Sequence, residues 1–238
     1  SLAQKIQDYM INTDLLENVQ FGKIKYSYIY NPCIAIGGDF LNLVKLNDNH
    51  IGIILADVTG HGITAALVTG VIKSAFLLYV EQYGMDPKEL LKNLSAHMAK
   101  VISRLFATCY YGVLNVDTCE MKLSNAGHHH PLVFRAKSNT FEQIECRGPG
   151  LGMIPDAKFN EIVVKLEPGD KALFYTDGII EQFDDNRVMF GRKKLISNFV
   201  EFSKSGETEI LNKLMENLKD FAQNTPLQDD VTLLLLEF

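Results

Sequence analysis

The chain has 238 residues, of which 47% are hydrophobic and 22% charged, and its formal net charge is −6. That length holds one large domain or two small ones and supplies a sizeable core. The acidic balance, with no basic cluster interleaved with aromatics, argues against a nucleic-acid groove and suits a site that gathers carboxylates around cations.

Leu2, Ile6, Tyr9 and Met10 recur at helical spacing, so a linker helix is expected over about residues 1–20, ahead of a domain over 21–238. The first residue is Ser, which suits a piece of a longer protein with an upstream sensor domain. Strands are expected over 24–30, 40–45 and 51–56, with Asp48-Asn49 as the turn of a hairpin. A helix over 62–83 ends at Gly84, and a second starts at Asp86-Pro87 and runs to about residue 104. In the first of these helices Ala66, Gly70 and Ser74 form a row of small residues that another helix could approach closely.

Strand patterns then cover 107–116, 120–124, 132–136, 140–146, 161–166 and 171–175, with turns at Asp117-Thr118 and at Glu167-Pro168-Gly169-Asp170. Two helices over 191–202 and 207–223 precede a last strand over 231–238. Strands and helices are grouped rather than strictly alternating, which favours an α+β fold with antiparallel sheets over a parallel doubly wound one. No signal peptide is evident, and no uninterrupted apolar run approaches the roughly 18 residues that span a bilayer. The longest apolar stretch, 62–80, is broken by Thr64, Thr69, Lys73 and Ser74 and reads as a buried helix. A cytoplasmic location is expected.

Cys33, Cys109, Cys119 and Cys146 include no CxxC pair, and the last three fall in strand-like runs. They read as buried free thiols in a reducing compartment; a zinc site would want tighter spacing or histidine partners.

Four places set an aspartate at a strand end beside a turn-former: Asp39 in Gly37-Gly38-Asp39-Phe40, Asp57 in Ala56-Asp57-Val58-Thr59-Gly60-His61-Gly62, Asp177 in Thr176-Asp177-Gly178, and Asp229-Asp230 before Val231. Each adjoins an apolar strand, so the carboxylates can project from a sheet edge into a shared cleft. Hard cations such as Mg²⁺ or Mn²⁺ take oxygen ligands. Two such ions about 3.5–4 Å apart can activate a water and neutralise phosphoryl oxygens, with no nucleophilic side chain needed.

The run Ile36 to Phe40 followed by Ala56 to Leu67 resembles the bacterial SpoIIE-type branch of the protein phosphatase 2C-like superfamily. So do Phe106-Ala107-Thr108, Asn125-Ala126-Gly127-His128, Leu166 to Asp170, Phe174 to Gly178, and Asp229-Asp230-Val231-Thr232, in the family's order over about residues 35–238. The resemblance implies a four-layer α-β-β-α sandwich of two antiparallel sheets flanked by helices. It implies that Asp57 bridges two metals, joined by the backbone carbonyl of Val58, that Asp39 lies near one metal, and that Asp177 and Asp229 complete the ligand set of the second metal. A metal-bridging water would then attack phosphorus in a phosphoserine or phosphothreonine. The implied substrate is a phosphorylated STAS-type anti-anti-sigma protein in partner switching, and a homodimer through the N-terminal helix is expected. The rival reading is a catalytically silent switch that binds a phosphoprotein with the same fold.

Other features carry blander readings beside these. Gly-Gly-Asp-Phe also resembles the diguanylate cyclase turn, but its Glu is missing and the surrounding topology differs. His61 is a candidate proton donor to the leaving group and equally a solvated loop residue, while the Gly60–Gly62 backbone offers N–H groups to an anion at a helix start. Asp229 and Asp230 point opposite ways along a strand, so one of them enters the site, and the family pattern points to Asp229. Three consecutive histidines rarely chelate together in strand geometry, so metal binding by His128-His129-His130 is the lesser reading beside the structural turn of the family that this position matches. Gly148-Pro149-Gly150-Leu151-Gly152 lacks the P-loop Lys and reads as a flexible loop at the rim of the site. The arginine that grips phosphate in eukaryotic members, shortly before the first acidic ligand, is replaced here by the stretch Cys33-Ile34-Ala35-Ile36.

Overall fold

In chain order the strands are β1 (Lys25–Asn31), β2 (Asp39–Lys45), β3 (His50–Val58), β4 (Ala107–Asn115), β5 (Glu120–Ala126), β6 (Leu132–Arg135), β7 (Thr140–Gln143), β8 (Ile162–Lys165), β9 (Lys171–Tyr175) and β10 (Val231–Glu237). The helices are α1 (Ile63–Tyr83), α2 (Pro87–Val101), α3 (Gly178–Glu181), α4 (Gly191–Ser205) and α5 (Ile210–Ala222). This computed structural model describes residues 22–34, 36–60, 62–102 and 105–238. The expected N-terminal helix and His61 lie outside the described residues. The fold class is α+β, with two five-stranded antiparallel sheets and helices for each. The chain divides into two units, one holding Ile34–His128 and Glu145–Leu166, the other Ile24–Cys33, His129–Ile144 and Glu167–Phe238.

The first unit is the sheet β2-β3-β4-β5-β8 with α1 and α2. The Asp48-Asn49 turn makes β2 and β3 the expected hairpin, and its register sets Asp39 opposite Asp57 and Phe40 opposite Ala56. Alternate side chains of a strand face opposite sides. Phe40, Ile54, Ala56 and Val58 therefore face the helices, clustering with Ile72 and Phe76 of α1 and with Leu91 and Met98 of α2. Asp39 and Asp57 face the other way.

α2 starts where Asp86-Pro87 predicts, since the Asp86 carboxylate accepts the Glu89 N–H at 3.2 Å and Pro87 needs no N–H partner in the first turn. α1 is 21 residues long and apolar enough to cross a membrane, with a mean hydropathy of 1.9 over its most apolar window. Its Ala65, Val68, Ile72 and Phe76 instead pack in the core beneath the sheet, which makes it a core helix. The small-residue row Ala66, Gly70 and Ser74 lies outside that packed face, half-buried to exposed.

The second unit is the sheet β1-β10-β9-β6-β7 with α3, α4 and α5. Leu173 and Tyr175 of β9 and Leu233 and Leu235 of β10 pack on Leu195 and Phe199 of α4 and on Leu211, Leu214 and Leu218 of α5. β9 and β10 run antiparallel with Leu233 opposite Tyr175, so the residues after β9 and those before β10 meet at one end of this sheet. That end carries Asp177 and the Asp229-Asp230 pair.

Two sequence expectations change. Cys119, in the turn between β4 and β5 with a φ of 53°, and Cys146, beyond the end of β7, lie outside strands, and Cys33 and Cys119 are half-buried rather than buried. The glycine run 148–152 is pinned rather than flexible. Leu151 exchanges backbone hydrogen bonds with Ala107 at 2.8 and 3.3 Å, and a Cβ on Gly148 would strike the Asn125 carbonyl. The glycines there allow close packing against β4 and β5.

Candidate active site

In the first unit the site is built on a strand pair. Residues opposite each other in an antiparallel ladder have Cβ atoms about 4.5–5.5 Å apart on one face, and like charges so placed repel. Asp39 is 2% exposed and Asp57 half-buried. Two carboxylates in this position supply oxygen donors of the kind that a hard divalent cation takes.

The surroundings hold this edge in place. The Val58 N–H donates to the Gly38 carbonyl at 3.3 Å. Thr59 donates from both its N–H and its hydroxyl to the Phe106 carbonyl, at 3.2 and 3.0 Å. The Thr69 hydroxyl of α1 donates to the Gly38 carbonyl at 2.8 Å, tying the helix to the Gly37-Gly38 turn. Asn125 and His128 close their own turn: the His128 N–H donates to Asn125 Oδ1 at 2.7 Å, and Asn125 Nδ2 donates to the His128 carbonyl at 2.9 Å. His128 Nδ1 lies 2.7 Å from the Thr108 hydroxyl, which fits the structural reading of this motif.

In the second unit Asp177 occupies the position before the single turn of α3. Burial pushes its carboxyl up to about 6, helped by the negative charges of Glu181 and Asp229 and opposed by the backbone N–H groups of Asp177 and Gly178. A divalent cation would reverse the first three effects. Glu181 escaped the sequence reading; its one signal is its place four residues after Asp177, on the same side of one helical turn.

Thr176 joins this aspartate to β10, since the Thr232 N–H donates to its hydroxyl at 2.9 Å and its own N–H donates to the Thr232 carbonyl at 3.0 Å. Gly178 packs so closely on the Asp230 carbonyl that any Cβ would collide with it. Asp229 and Asp230 precede β10 and do not point opposite ways as expected, since a carboxylate oxygen of each lies within 4.8 Å of the other, but their surroundings differ. Asp229 is half-buried and is an electrostatic neighbour of Asp177, and its Oδ1 accepts the Asp230 N–H at 2.8 Å. Asp230 is 2% exposed and its Oδ1 accepts the Cys33 N–H at 2.9 Å.

Both units thus present carboxylates, the oxygen donors that a hard divalent metal takes. Among the described residues, no histidine belongs to a group of three metal-ligating side chains.

Fold and donors together define a PP2C-like protein phosphatase, a class of metal-dependent enzymes. The solved structure of the SiaA-PP2C domain of Pseudomonas aeruginosa superposes with a TM-score of 0.86 at 19% identity, over 100% of this chain and 94% of that one. RsbX in complex with magnesium superposes with a TM-score of 0.64 at 19% identity, over 90% of this chain and 94% of that one. Residues 47–238 match the family described as Stage II sporulation protein E (SpoIIE), and the chain belongs to that family. Phosphoserine phosphatase RsbU of Bacillus subtilis (strain 168) is 31% identical over 238 residues, covering 99% of this chain and 68% of RsbU.

Proposed function

We propose that the chain removes phosphate from a phosphoserine or phosphothreonine of a regulatory protein, a STAS-type anti-anti-sigma factor in a partner-switching system. Asp39, Asp57 and the Val58 carbonyl in one unit, and Asp177 and Asp229 in the other, would hold Mn²⁺ or Mg²⁺, two ions per site. What joins the two sets into one centre is the family resemblance. Bound there, the ions would lower the pKa of a water and neutralise phosphoryl oxygens.

The chain's own residues do the rest. The β2–β3 ladder fixes the separation of Asp39 and Asp57. Thr59, Thr69 and Gly38 hold the loops on either side of that pair. Asp177 must lose its proton before it can ligate, and the neighbouring N–H groups of Asp177 and Gly178 favour that loss.

The observation that carries this reading is the cross-strand pair of buried Asp39 and half-buried Asp57. The similarity to RsbU supports the substrate class. The test is phosphate release from a phosphoserine-bearing STAS protein with and without Mn²⁺, for the wild type, Asp57→Asn and Asp177→Asn. Release that depends on Mn²⁺ and falls in both variants is expected. Equal background rates in all three would leave the silent phosphoprotein-binding switch as the better account.

A further inference from the structure

Two stretches of chain meet ahead of β10. One leaves α3 at Gln182; the other leaves α5 and reaches Asp229. Gln182 is 1% exposed, although glutamine is a residue that mostly stays at the surface. Its carboxamide is used at both ends. Nε2 donates to the Phe183 carbonyl at 2.9 Å and to the Pro226 carbonyl at 3.1 Å, and Oε1 accepts the Gln228 N–H at 3.2 Å. Gln228 returns the contact, since its Oε1 accepts the Phe183 N–H at 3.2 Å. Further out, the Thr225 hydroxyl donates to Asp185 Oδ1 at 2.6 Å. The stretch after α3 thus holds residues 225–228 by a run of hydrogen bonds with Gln182 at its centre. All of these residues belong to the second unit.

Each stretch carries a carboxylate at its inner end. Asp177 precedes α3, and Asp229 directly follows Gln228. The segment that leads to Asp229 also borders a cavity of about 600 Å³, whose walls include Met215, Lys219, Thr225, Pro226 and Leu227. A wall that faces a cavity lacks packing contacts on that side. Hydrogen bonds to Gln182 therefore do more than packing to fix where the segment runs. The side-chain type matters as well. A carboxamide offers two N–H donors and an acceptor without a charge. Glutamate would turn oxygen toward the Phe183 and Pro226 carbonyls, and methionine would fill the same volume without a bond.

We propose that Gln182 is a positioning residue of the phosphatase centre, whose carboxamide presents Asp229 to a divalent cation beside Asp177. It acts through Asp229 and not on the metal itself. The inference rests on the reading of Asp177 and Asp229 as metal ligands. Removing partners that orient metal ligands typically weakens metal binding by about 10–100-fold. Gln182 works through one stretch of backbone, which places its effect at the lower end.

Mn²⁺ binding to the full chain tests this without turnover, with free Mn²⁺ read by electron paramagnetic resonance at a temperature where each protein is folded by circular dichroism. Gln182→Met is expected to weaken binding about tenfold. Gln228→Ala should weaken it in the same direction, and because Gln228 is exposed this variant decides the matter if Gln182→Met does not fold. Asp170→Ala is the control for stability alone. Asp170 is 1% exposed, pairs with Arg135 at 2.7 Å and lies in a turn of the same unit. Its variant should lose stability and keep the wild-type affinity. Wild-type affinity in Gln182→Met, or in Gln228→Ala where the first does not fold, overturns the proposal, and so does equal weakening in Asp170→Ala. A wild type that binds Mn²⁺ more tightly than the glutamine variants yet releases no phosphate would overturn the phosphatase reading and leave Gln182 as a positioning residue of a metal site. A wild type that binds no Mn²⁺ overturns both.

Discussion

Asp39 and Asp57 stand directly opposite each other at the end of the β2–β3 ladder, on the face of the sheet turned away from α1 and α2. Every other pair between these strands up to Val44 with Gly52 is apolar or carries a single polar group. A repulsive pair at the end of an otherwise apolar ladder is a cost to the fold that a cation relieves. Asp57→Asn should therefore stabilise the protein in EDTA by about 0.2–1 kcal/mol, the scale of a cross-strand pair, while removing Mn²⁺-dependent phosphate release. Urea melts of both proteins in EDTA check the first part. A variant less stable than the wild type would show that the pair is already compensated by the protein alone.

Gly178 follows Asp177 and has the Asp230 carbonyl where a Cβ would be. Gly178→Ala must push the turn off β10, and overpacking of this kind costs about 1–3 kcal/mol. The displacement also moves Asp177 relative to Asp229. Thermal melts should show the loss, and Mn²⁺ affinity by calorimetry should fall with it. An unchanged affinity beside a lowered melting temperature would mean that the carboxylates tolerate the shift.

Asp170 shows that not every motif aspartate is a ligand. It is 1% exposed, and its carboxylate accepts from Arg135 Nη1 at 2.7 Å, from the Ala136 N–H at 3.0 Å and from the Glu167 N–H at 3.0 Å. It closes the turn that Glu167-Pro168-Gly169-Asp170 announces in the sequence. Asp170→Ala takes the acceptor from the Ala136 and Glu167 N–H groups and leaves Arg135 paired with Glu142 alone, which should cost about 1–3 kcal/mol. Denaturant unfolding is the check, together with retention of phosphate release per folded molecule below the melting temperature.

His129 stacks on Tyr175, with centroids 5.7 Å apart and planes 17° from parallel. Burial pushes its pKa below the usual histidine value, and the charges of Arg192 and His130 push the same way. The folded state thus holds the neutral ring more firmly than the unfolded state does. The stability this brings is present above the unfolded value of about 6.5 and is lost as pH falls through it towards the lower folded value. His129→Phe keeps a ring for the stack and removes the titration. Between about pH 7.5 and about pH 5 the wild type should lose more stability than the variant, measured as the shift in urea midpoint. Parallel losses would show that the ring is not held neutral.

Much of the fold was legible because its signals are local. Gly84 and Asp86-Pro87 bound the two helices of the first unit within the chain itself, and β9 runs over the residues its apolar pattern marks, Lys171–Tyr175. α3 was not legible: a helix of four residues is barely one turn, so its period never repeats in the sequence. Glu181 went unseen with it.

The sequence by itself determined the order of elements, the α+β class and the motifs that carry the SpoIIE-family likeness, since each depends on residues within a few positions of one another. Only the tertiary structure decided which side chains share a place. Register sets Asp39 against Asp57, and the pairing of β1 with β10 brings Cys33 beside Asp229 and Asp230 across 197 positions of chain. Strand pairing is a non-local contact, fixed by how the apolar faces of whole strands bury, and so it could supply partners that no spacing rule reveals.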